Sequence, residues 1–439
     1  MQQTDHLAEL KARAAGDEFT AAVIGLGYVG LPLAIRFVEA GYRVLGIDLD
    51  RAKLNALERG ESYVDDVPEG KVAAAIENGR LIPTDQLERV AEAGSISICV
   101  PTPLSKFREP DLAALVSVGQ RLGGCLRKAQ LVVLESTTYP GTTEEMLLPL
   151  LERDDLKVGR DFFLAFSPER IDPGRTDFTV GNTPRVIGGV TPACTEAAIA
   201  VYSRAIEQIV PVSSSRCAEM VKMLENTFRS VNIGLVNEIA IMCDRLDIPV
   251  FEVIEAAASK PFGFMPFLPG PGLGGHCIPI DPLYLSWKMR TLDYRARFIE
   301  LAEEVNRSMP DYVVAKVFEA LNRHRKSVNG ARILILGVAY KRDIDDVRES
   351  PAADVIRGLS ARGAELCYHD PHVPELHVHS LDLTSVPLTD ELLQGLDCAV
   401  IVTDHSKVDY RRVVSTVSVV VDARNATAGF RDLGDVITI

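Results

Sequence analysis

The sequence is short of positive charge. Lys and Arg number 47 against 61 Asp and Glu, leaving a net charge of −14 over 439 residues. That deficit excludes the basic footprint of a nucleic-acid binder and repels anionic membrane at a distance. An anionic substrate therefore needs locally placed cations. Long apolar runs are also missing, since none approaches the ~18 residues that a membrane span requires. The first sixteen residues, MQQTDHLAELKARAAG, are polar and lack the apolar stretch of a secretory signal, so a cytoplasmic protein is expected. The eight cysteines include no CxxC pair. Neither a zinc site nor a redox pair is indicated, and no metal is expected. Most of them, such as Cys99 and Cys398, sit in apolar runs and read as buried thiols in a reducing compartment. There is no short tandem repeat.

What is present is ordinary globular material: 47% hydrophobic and 25% charged residues, enough for two or three domains. Thr20 to Ile24 reads as a short buried strand ending at a glycine cluster. A helix over Leu33 to Ala40 and a strand over Arg43 to Asp48 complete a βαβ unit. Further strands are predicted at Ser95 to Val100, Leu131 to Glu135, Phe163 to Phe166 and Arg185 to Gly188. Short apolar strands alternating with helices argue for a parallel sheet covered on both faces. The run Cys217 to Leu246, interrupted only by Gly234, predicts one long helix. A Gly/Pro-rich stretch, Lys260 to Pro282, reads as a shaped loop, and helix resumes over Asp311 to Arg323. A second βαβ pattern starts at Ala331 to Gly337. It continues with a helix at Ala352 to Leu359 and strands at Ala364 to Tyr368, Cys398 to Val402 and Val417 to Val421. The expected fold class is α/β: two Rossmann-like, doubly wound parallel-sheet domains joined by a central helical domain. The expected boundaries are 1–212, 213–324 and 325–439.

Gly25-Leu26-Gly27-Tyr28-Val29-Gly30 fits G-x-G-x-x-G. Alone the motif says little. Here it follows a strand, opens a helix, and is trailed by Asp48 at the end of the next strand, which is the context of a dinucleotide site. Gly25 permits the tight turn, Gly27 admits the pyrophosphate and Gly30 lets helix and strand pack closely. The helix N-terminus then faces the phosphates. Asp48 suits ribose hydroxyls and repels a 2′-phosphate, so NAD is expected rather than NADP. Gly337 lacks companion glycines; its half could hold a mononucleotide portion of a substrate.

Cys277 differs from the other cysteines because it lies in a glycine loop, Gly272 to Pro282, with His276 and Asp281 beside it. Glycines leave room for a ligand at the sulfur, and a thiolate can capture an aldehyde. Composition alone favours an inert, buried cysteine. Lys222 and Asn226 lie four apart on the long helix and share a face. Together they could hold an oxyanion, although taken alone the pattern favours a surface lysine and a helix-interior asparagine.

Several segments, taken in order, resemble the nucleotide-sugar dehydrogenases that act on UDP-glucose, GDP-mannose and UDP-N-acetylhexosamines. They are GLGYVG at 25–30, VPTP at 100–103, ESTTYPGTT at 135–143, SPERIDPG at 167–174, KMLEN at 222–226, GLGGHCIPIDP at 272–282 and GVAYKRDIDDVRESP at 337–351. The resemblance implies an NAD-dependent, four-electron oxidation of a sugar C6 hydroxyl to a carboxylate, through a thiohemiacetal and a thioester on Cys277. Asp281 would assist proton transfer, Lys222 and Asn226 would stabilise the oxyanion, and Thr137 and Glu169 would hold or activate a water. Positive charge from the lysine would also favour the thiolate. Cofactor contacts are implied at Gly25, Gly27, Tyr28, Val29, Gly30, Asp48, Thr102 and Thr137. Substrate contacts are implied at Glu169, Arg170, Lys222, Asn226, Phe262, Phe264, Gly274, Tyr340, Lys341 and Arg348, the last three toward UDP. A homodimer or larger assembly across the long helix is implied as well, with the product feeding surface polysaccharide such as O-antigen.

Arg170 and His276 resemble the N-acetylhexosamine branch; the UDP-glucose branch more usually carries Phe-Leu after the glutamate and Tyr before the cysteine. UDP-N-acetylglucosamine is the expected sugar nucleotide, with the galactosamine and mannosamine forms close behind and UDP-glucose as the alternative. Arg175 departs from the small polar residue common at its position. Two other readings stay open. A two-electron β-hydroxyacid or 6-phosphogluconate-type dehydrogenase would lack Cys277 and the stretch 331–439. A non-catalytic nucleotide-sugar-binding protein would share the fold without turnover.

Overall fold

The computed structural model describes residues 5–64, 66–105, 108–171, 177–275, 277–378 and 381–439. They pack as two compact units. The first reaches to Glu225 and takes in Trp287–Leu292; the second comprises Asn226–Ser286 and Asp293–Ile439.

The first unit is built on one sheet of eight strands: β1 (Thr20–Ile24), β2 (Arg43–Ile47), β3 (Leu81–Thr84), β4 (Ser95–Ile98), β5 (Leu131–Leu134), β6 (Phe163–Phe166), β7 (Arg185–Gly189) and β8 (Ile209–Pro211). Their order is β3-β2-β1-β4-β5-β6-β7-β8. Every residue of β4, β5 and β6 is buried, because helices cover both faces of a parallel sheet. Leu31, Leu33 and Phe37 from the helix Gly30–Glu39 share the core with Tyr202 from the helix Pro192–Tyr202 and Leu10 from the helix His6–Ala15. Within the described residues of this unit one strand pair is antiparallel, β6 with β7. Strand order reverses between β1 and β4, the crevice where such sheets bind ligands. The sequence reading missed β3 and β8. Both are short edge strands, and both contain a proline (Pro83, Pro211) that ordinarily argues against a strand and is tolerated only at an edge.

The long helix is Ser215–Arg245. Its single glycine, Gly234, meets a second long helix so closely that an added Cβ would lie 3.1 Å from the Cα of Ala302. That second helix is Arg297–Arg323, with Pro310 inside it, and so starts fourteen residues before the expected Asp311. Buried Ile299, Ala302, Asn306 and Met309 hold its first half in place. Proline removes the N–H that would bond the carbonyl four residues back, here that of Asn306. The Asn306 carbonyl oxygen instead faces the glycine loop, 3.2 Å from where a Cβ on Gly272 would stand. Asn237 and Asn306 tie loop and helices together. Asn237 Nδ2 donates to Asn306 Oδ1 (2.9 Å), Asn306 Nδ2 donates to the Ser230 carbonyl (3.0 Å), and the Gly270 amide donates to Asn237 Oδ1 (2.9 Å). The loop expected to run to Pro282 ends sooner, since helix starts at Asp281.

The second unit carries β9 (Arg332–Leu336), β10 (Glu365–His369), the antiparallel hairpin β11 (Glu375–Val378) and β12 (Leu381–Thr384), then β13 (Cys398–Ile401), β14 (Val420–Asp422) and β15 (Val436–Thr438). The main sheet is parallel, ordered β10-β9-β13-β14-β15. It reverses between β9 and β13, and the second glycine turn stands at this point. No helix among the described residues is long and apolar enough to cross a membrane.

Candidate active site

In the first unit Gly25 and Gly30 stand where a side chain has no room. Gly25 takes φ +90°, and a Cβ there would meet the Cys99 carbonyl at 2.5 Å. A Cβ on Gly30 would stand 1.8 Å from the Gly25 oxygen, so only glycine lets the helix start this close to the turn. Around Gly27 nothing lies within 4 Å of an added Cβ. The backbone is therefore open where a pyrophosphate would approach, and the residues fit a dinucleotide. Asp48 Oδ2 accepts from the Leu26 amide (2.8 Å) and its Oδ1 from the Asp50 amide (2.9 Å), which orients the carboxylate toward the turn while leaving acceptor capacity for ribose hydroxyls. Tyr28 is exposed beside the turn and Val29 is half-buried at the head of the helix.

The same unit gathers Thr102, Thr137, Glu169, Arg170 and Lys222. The Thr102 hydroxyl donates to the Thr137 carbonyl (2.7 Å), fixing the loop that follows β5. Lys222, only 7% exposed, donates from Nζ to the Glu169 carbonyl (2.7 Å). Glu169 Oε1 accepts from its neighbouring amides, Arg170 (2.7 Å) and Ile171 (2.9 Å). Burial pushes the Glu169 carboxyl above the usual carboxylate range, against the pull of those amides and of the Lys222 and Arg170 charges. Arg170 is occupied by Glu225 (2.5 Å) and by the Pro184 carbonyl (2.7 Å).

Two carboxylates and a guanidinium here were not anticipated. Glu219 is fully buried on the long helix, on the face of Lys222 and Asn226; its helical spacing from them (219, 222, 226) is the signal it leaves in the sequence. It accepts from the Gly141 amide (2.5 Å), the Thr143 amide (2.9 Å) and the Thr143 hydroxyl (2.7 Å), and so holds the loop that carries Thr137. Burial raises its pKa to about 7 despite those three donors. Arg185, 3% exposed, joins Glu135 and Glu169. A charged residue at the head of an apolar strand was its only trace in the sequence.

The second unit holds the cysteine loop. Cys277 alone among the described cysteines is exposed, and no disulfide joins any two of them. Its carbonyl accepts from the Ile280 (3.1 Å) and Asp281 (2.8 Å) amides, placing it at the turn that opens the helix Asp281–Arg290. Asp281 is 3% exposed, and its Oδ2 accepts from Asn226 Nδ2 (2.5 Å). Gly274 and Gly275 lie under the Tyr340 side chain: Cβ atoms on them would stand 2.6 Å from Tyr340 Cβ and 2.8 Å from its ring. The Gly275 amide also donates to the Arg348 carbonyl (3.1 Å). The cysteine loop and the Tyr340–Arg348 loop are thereby one structure. Lys341 is half-buried on it, and Arg348 forks onto Asp346 (2.6 Å). Phe262 and Phe264 are exposed on either side of Gly263, which takes φ +71°. His276 and Arg175 lie outside the described residues.

The second glycine turn copies the first. Gly337 takes φ +78°, and a Cβ there would meet the Thr403 carbonyl at 2.2 Å. Asp370, after β10, accepts from the Val338 (2.7 Å) and Ala339 (3.1 Å) amides as Asp48 does from Leu26. Burial works against its charge, yet the His405 bond and those amides hold it at about 2. Asp343, His372 and His405 cluster within 4.8 Å. His405 is already spent, bonding Asp370 through Nε2 (2.9 Å) and accepting from the Asp343 amide at Nδ1 (3.0 Å), so its lone pair clasps the Tyr340 loop rather than a metal. Arg424 was overlooked: it follows β14, bonds the Val402 carbonyl (2.9 Å) and stands over Gly270, a cation at the carboxyl ends of the strands.

A doubly wound sheet with this glycine turn, joined to a second such sheet and an exposed cysteine loop, defines a dinucleotide-dependent oxidoreductase. Three family models agree and cover most of the chain. The NAD-binding domain of the UDP-glucose/GDP-mannose dehydrogenase family matches residues 19–206, its central domain 216–308 and its UDP-binding domain 334–429. The UDP-N-acetyl-D-glucosamine 6-dehydrogenase of Pseudomonas aeruginosa is 36% identical over 84% of this chain and 87% of that protein. The UDP-N-acetyl-D-mannosamine dehydrogenase of Yersinia pestis is also 36% identical, over 88% and 94%. A solved UDP-D-ManNAc dehydrogenase from Pyrococcus horikoshii superposes with a TM-score of 0.85 at 32% identity, covering 95% of this chain and 99% of that one. The chain belongs to the UDP-glucose/GDP-mannose dehydrogenase family. It is an oxidoreductase, and its cofactor is NAD.

Proposed function

We propose that the protein oxidises the C6 hydroxyl of a UDP-N-acetylhexosamine, UDP-N-acetylglucosamine by preference, to the uronate in a four-electron reaction. Residues 1–212 hold NAD, 213–324 supply the nucleophile and 325–439 hold the UDP portion. The observation that carries this reading is Cys277: the single exposed cysteine, on a glycine loop bonded to the Tyr340–Arg348 loop and leading directly into the Asn226–Asp281 pair.

NAD, when bound, accepts a hydride, and two are consumed per sugar. The chain's own residues do the rest. The Cys277 sulfur adds to the C6 aldehyde, forming a C–S bond and a tetrahedral thiohemiacetal. Asn226 and Lys222 steady the oxygen there as it gains and loses its proton. Once C6 is oxidised again the adduct is a thioester. Water held by Thr137 and Glu169 attacks it, the C–S bond breaks, and the carboxylate leaves with the thiolate restored. Asp281, buried and bonded to Asn226, handles the proton next to the sulfur. Tyr340, Lys341 and Arg348 answer the diphosphate, and Phe262 and Phe264 border the sugar. Phosphate recognition by local cations reconciles an anionic substrate with a net charge of −14.

The reading has two further parts. Leu224, Phe228, Leu235, Met242 and Leu246 are exposed along the long helix, an apolar stripe suited to a second copy of the chain. The setting is cytoplasmic, with the uronate supplied to surface polysaccharide synthesis. The test is NADH formation from limiting UDP-N-acetylglucosamine, UDP-N-acetylgalactosamine, UDP-N-acetylmannosamine and UDP-glucose in parallel. Two NADH per N-acetylhexosamine with inert UDP-glucose is the expected result. One NADH per sugar removes the thioester. Turnover of UDP-glucose alone moves the chain to the other branch.

A further inference from the structure

Arg185 is a charged side chain in a place that ordinarily rejects one. It is 3% exposed, and all three of its nitrogens are spent: Nε on Ser167 Oγ (3.0 Å), one terminal nitrogen on Glu169 Oε2 (3.2 Å) and the other on Glu135 Oε2. Sheet topology puts it there. Because β7 runs antiparallel to β6, with Phe166 opposite Gly188, the head of β7 projects past the carboxyl end of β6, beside Ser167 and Glu169. Glu135 leaves the end of β5 next door and is itself anchored by the Tyr202 hydroxyl, which also bonds Ser97 (2.8 Å). A planar guanidinium is the one side chain that can serve three acceptors in fixed directions.

Glu169 is thereby held at both oxygens, Oε1 by two backbone amides and Oε2 by Arg185. We propose that Arg185 is a positioning residue for the hydrolytic half of the reaction: it fixes the Glu169 carboxylate in the orientation that takes a proton from the water attacking the thioester. This rests on the reading of Glu169 given above. The step balances without another reactant. The water oxygen bonds the acyl carbon, the C–S bond breaks, Glu169 takes one proton and the Cys277 thiolate departs. Among the described residues, the other groups facing Glu169 are Lys222 from the long helix, Arg170 from its own loop, Tyr202 from the helix Pro192–Tyr202 and Cys99 after β4. Glu135 competes for the same guanidinium, so its charge and that of Arg185 act on Glu169 with opposite signs.

The test uses the full chain with UDP-N-acetylglucosamine and NAD, and compares Arg185→Gln, Arg185→Lys, Glu135→Gln and Glu169→Gln. For Arg185→Gln the expected result is a kcat about ten- to a hundred-fold lower with KM for the sugar nucleotide within about threefold. A sugar adduct on Cys277 should accumulate, detected by intact-protein mass spectrometry. The acid limb of the kcat profile should move up by about one pH unit, and Glu135→Gln should move it down, as expected for removal of opposite charges. Arg185→Lys, which keeps the charge without the fork, should restore the limb but not the full rate. A lowered melting temperature in Arg185→Gln with the limb unmoved and no adduct would mean a purely structural arginine and would overturn the proposal. Should Arg185→Gln fail to fold, an unmoved limb in Glu135→Gln overturns it equally. If Glu169→Gln turns over normally, the assignment of Glu169 itself is wrong and the proposal falls with it; if Glu169→Gln stalls while the Arg185 variants do not, only the proposal falls.

Discussion

Glu219→Gln tests the physical account of the first unit most directly. The carboxylate has no exposure and is held above its ordinary value: 4.5 in an unfolded chain against about 7 in place, burial being the largest cause. Between those values the folded protein keeps a proton that the unfolded chain has released. The stability contributed by this group is therefore fully present below pH 4.5 and is lost as pH rises through about 7. A gap of that size corresponds to about 3 kcal/mol, as an order of magnitude. Glutamine abolishes the slope, because it does not titrate. It also leaves one donor without an acceptor. The Gly141 amide and the Thr143 amide sit on different oxygens of the carboxylate, so the NH2 end of glutamine must face one of them, at a cost of about 1–3 kcal/mol. The variant should accordingly be less stable than the parent near pH 5 and equal or better near pH 8. Unfolding midpoints of parent and variant, compared across that range, measure the difference with other titrating groups cancelled. Amide exchange at Gly141 and Thr143 should quicken in the variant. A difference independent of pH would refute the argument and return Glu219 to an ordinary carboxylate.

Four further outcomes are expected. Cys277→Ser should cut steady NADH formation by roughly three orders of magnitude while leaving UDP-sugar binding measurable by calorimetry. Gly27→Ala and Gly30→Ala should part company. The first, with no described atom beyond its own chain neighbours within 4 Å of the new methyl, should fold normally and lose about tenfold or more in NAD affinity; the second, 1.8 Å from the Gly25 oxygen, should be destabilised even without cofactor, as thermal unfolding will show. Asp48→Asn should raise the relative use of NADP, read as the ratio of kcat/KM for the two cofactors. Leu235→Arg on the exposed stripe should shift the sedimentation coefficient toward monomer if the long helix pairs two copies.

The alternation of apolar strands with helices, the glycine turn with Asp48, the long helix and the Gly/Pro loop around Cys277 were all legible in the residues. Each is written in local chemistry: a period of apolar side chains, a glycine where the backbone must turn, an acid at a fixed distance. Edge strands β3 and β8 were not legible, because proline reads as a strand breaker until it is known to lie at an edge. The helix through Pro310 was missed for a similar reason. Its continuity depends on packing against a partner helix and on a glycine loop that comes close to the freed Asn306 carbonyl, neither of which is a local property.

Among the site residues, the sequence by itself marked out the cysteine in its glycine loop, the lysine and asparagine on one helical face, the dinucleotide turn and the family. Tertiary structure alone decided which charges meet. Lys222 is aimed at the Glu169 backbone, Arg170 is taken by Glu225, and Arg185 is drawn between Glu135 and Glu169 by an antiparallel strand. An arginine, two glutamates and a serine separated by up to fifty residues carry no signal of their own. Their relation exists only where sheet order brings three strand ends together, in an interior whose low dielectric makes each unpaired charge costly and each paired one directional.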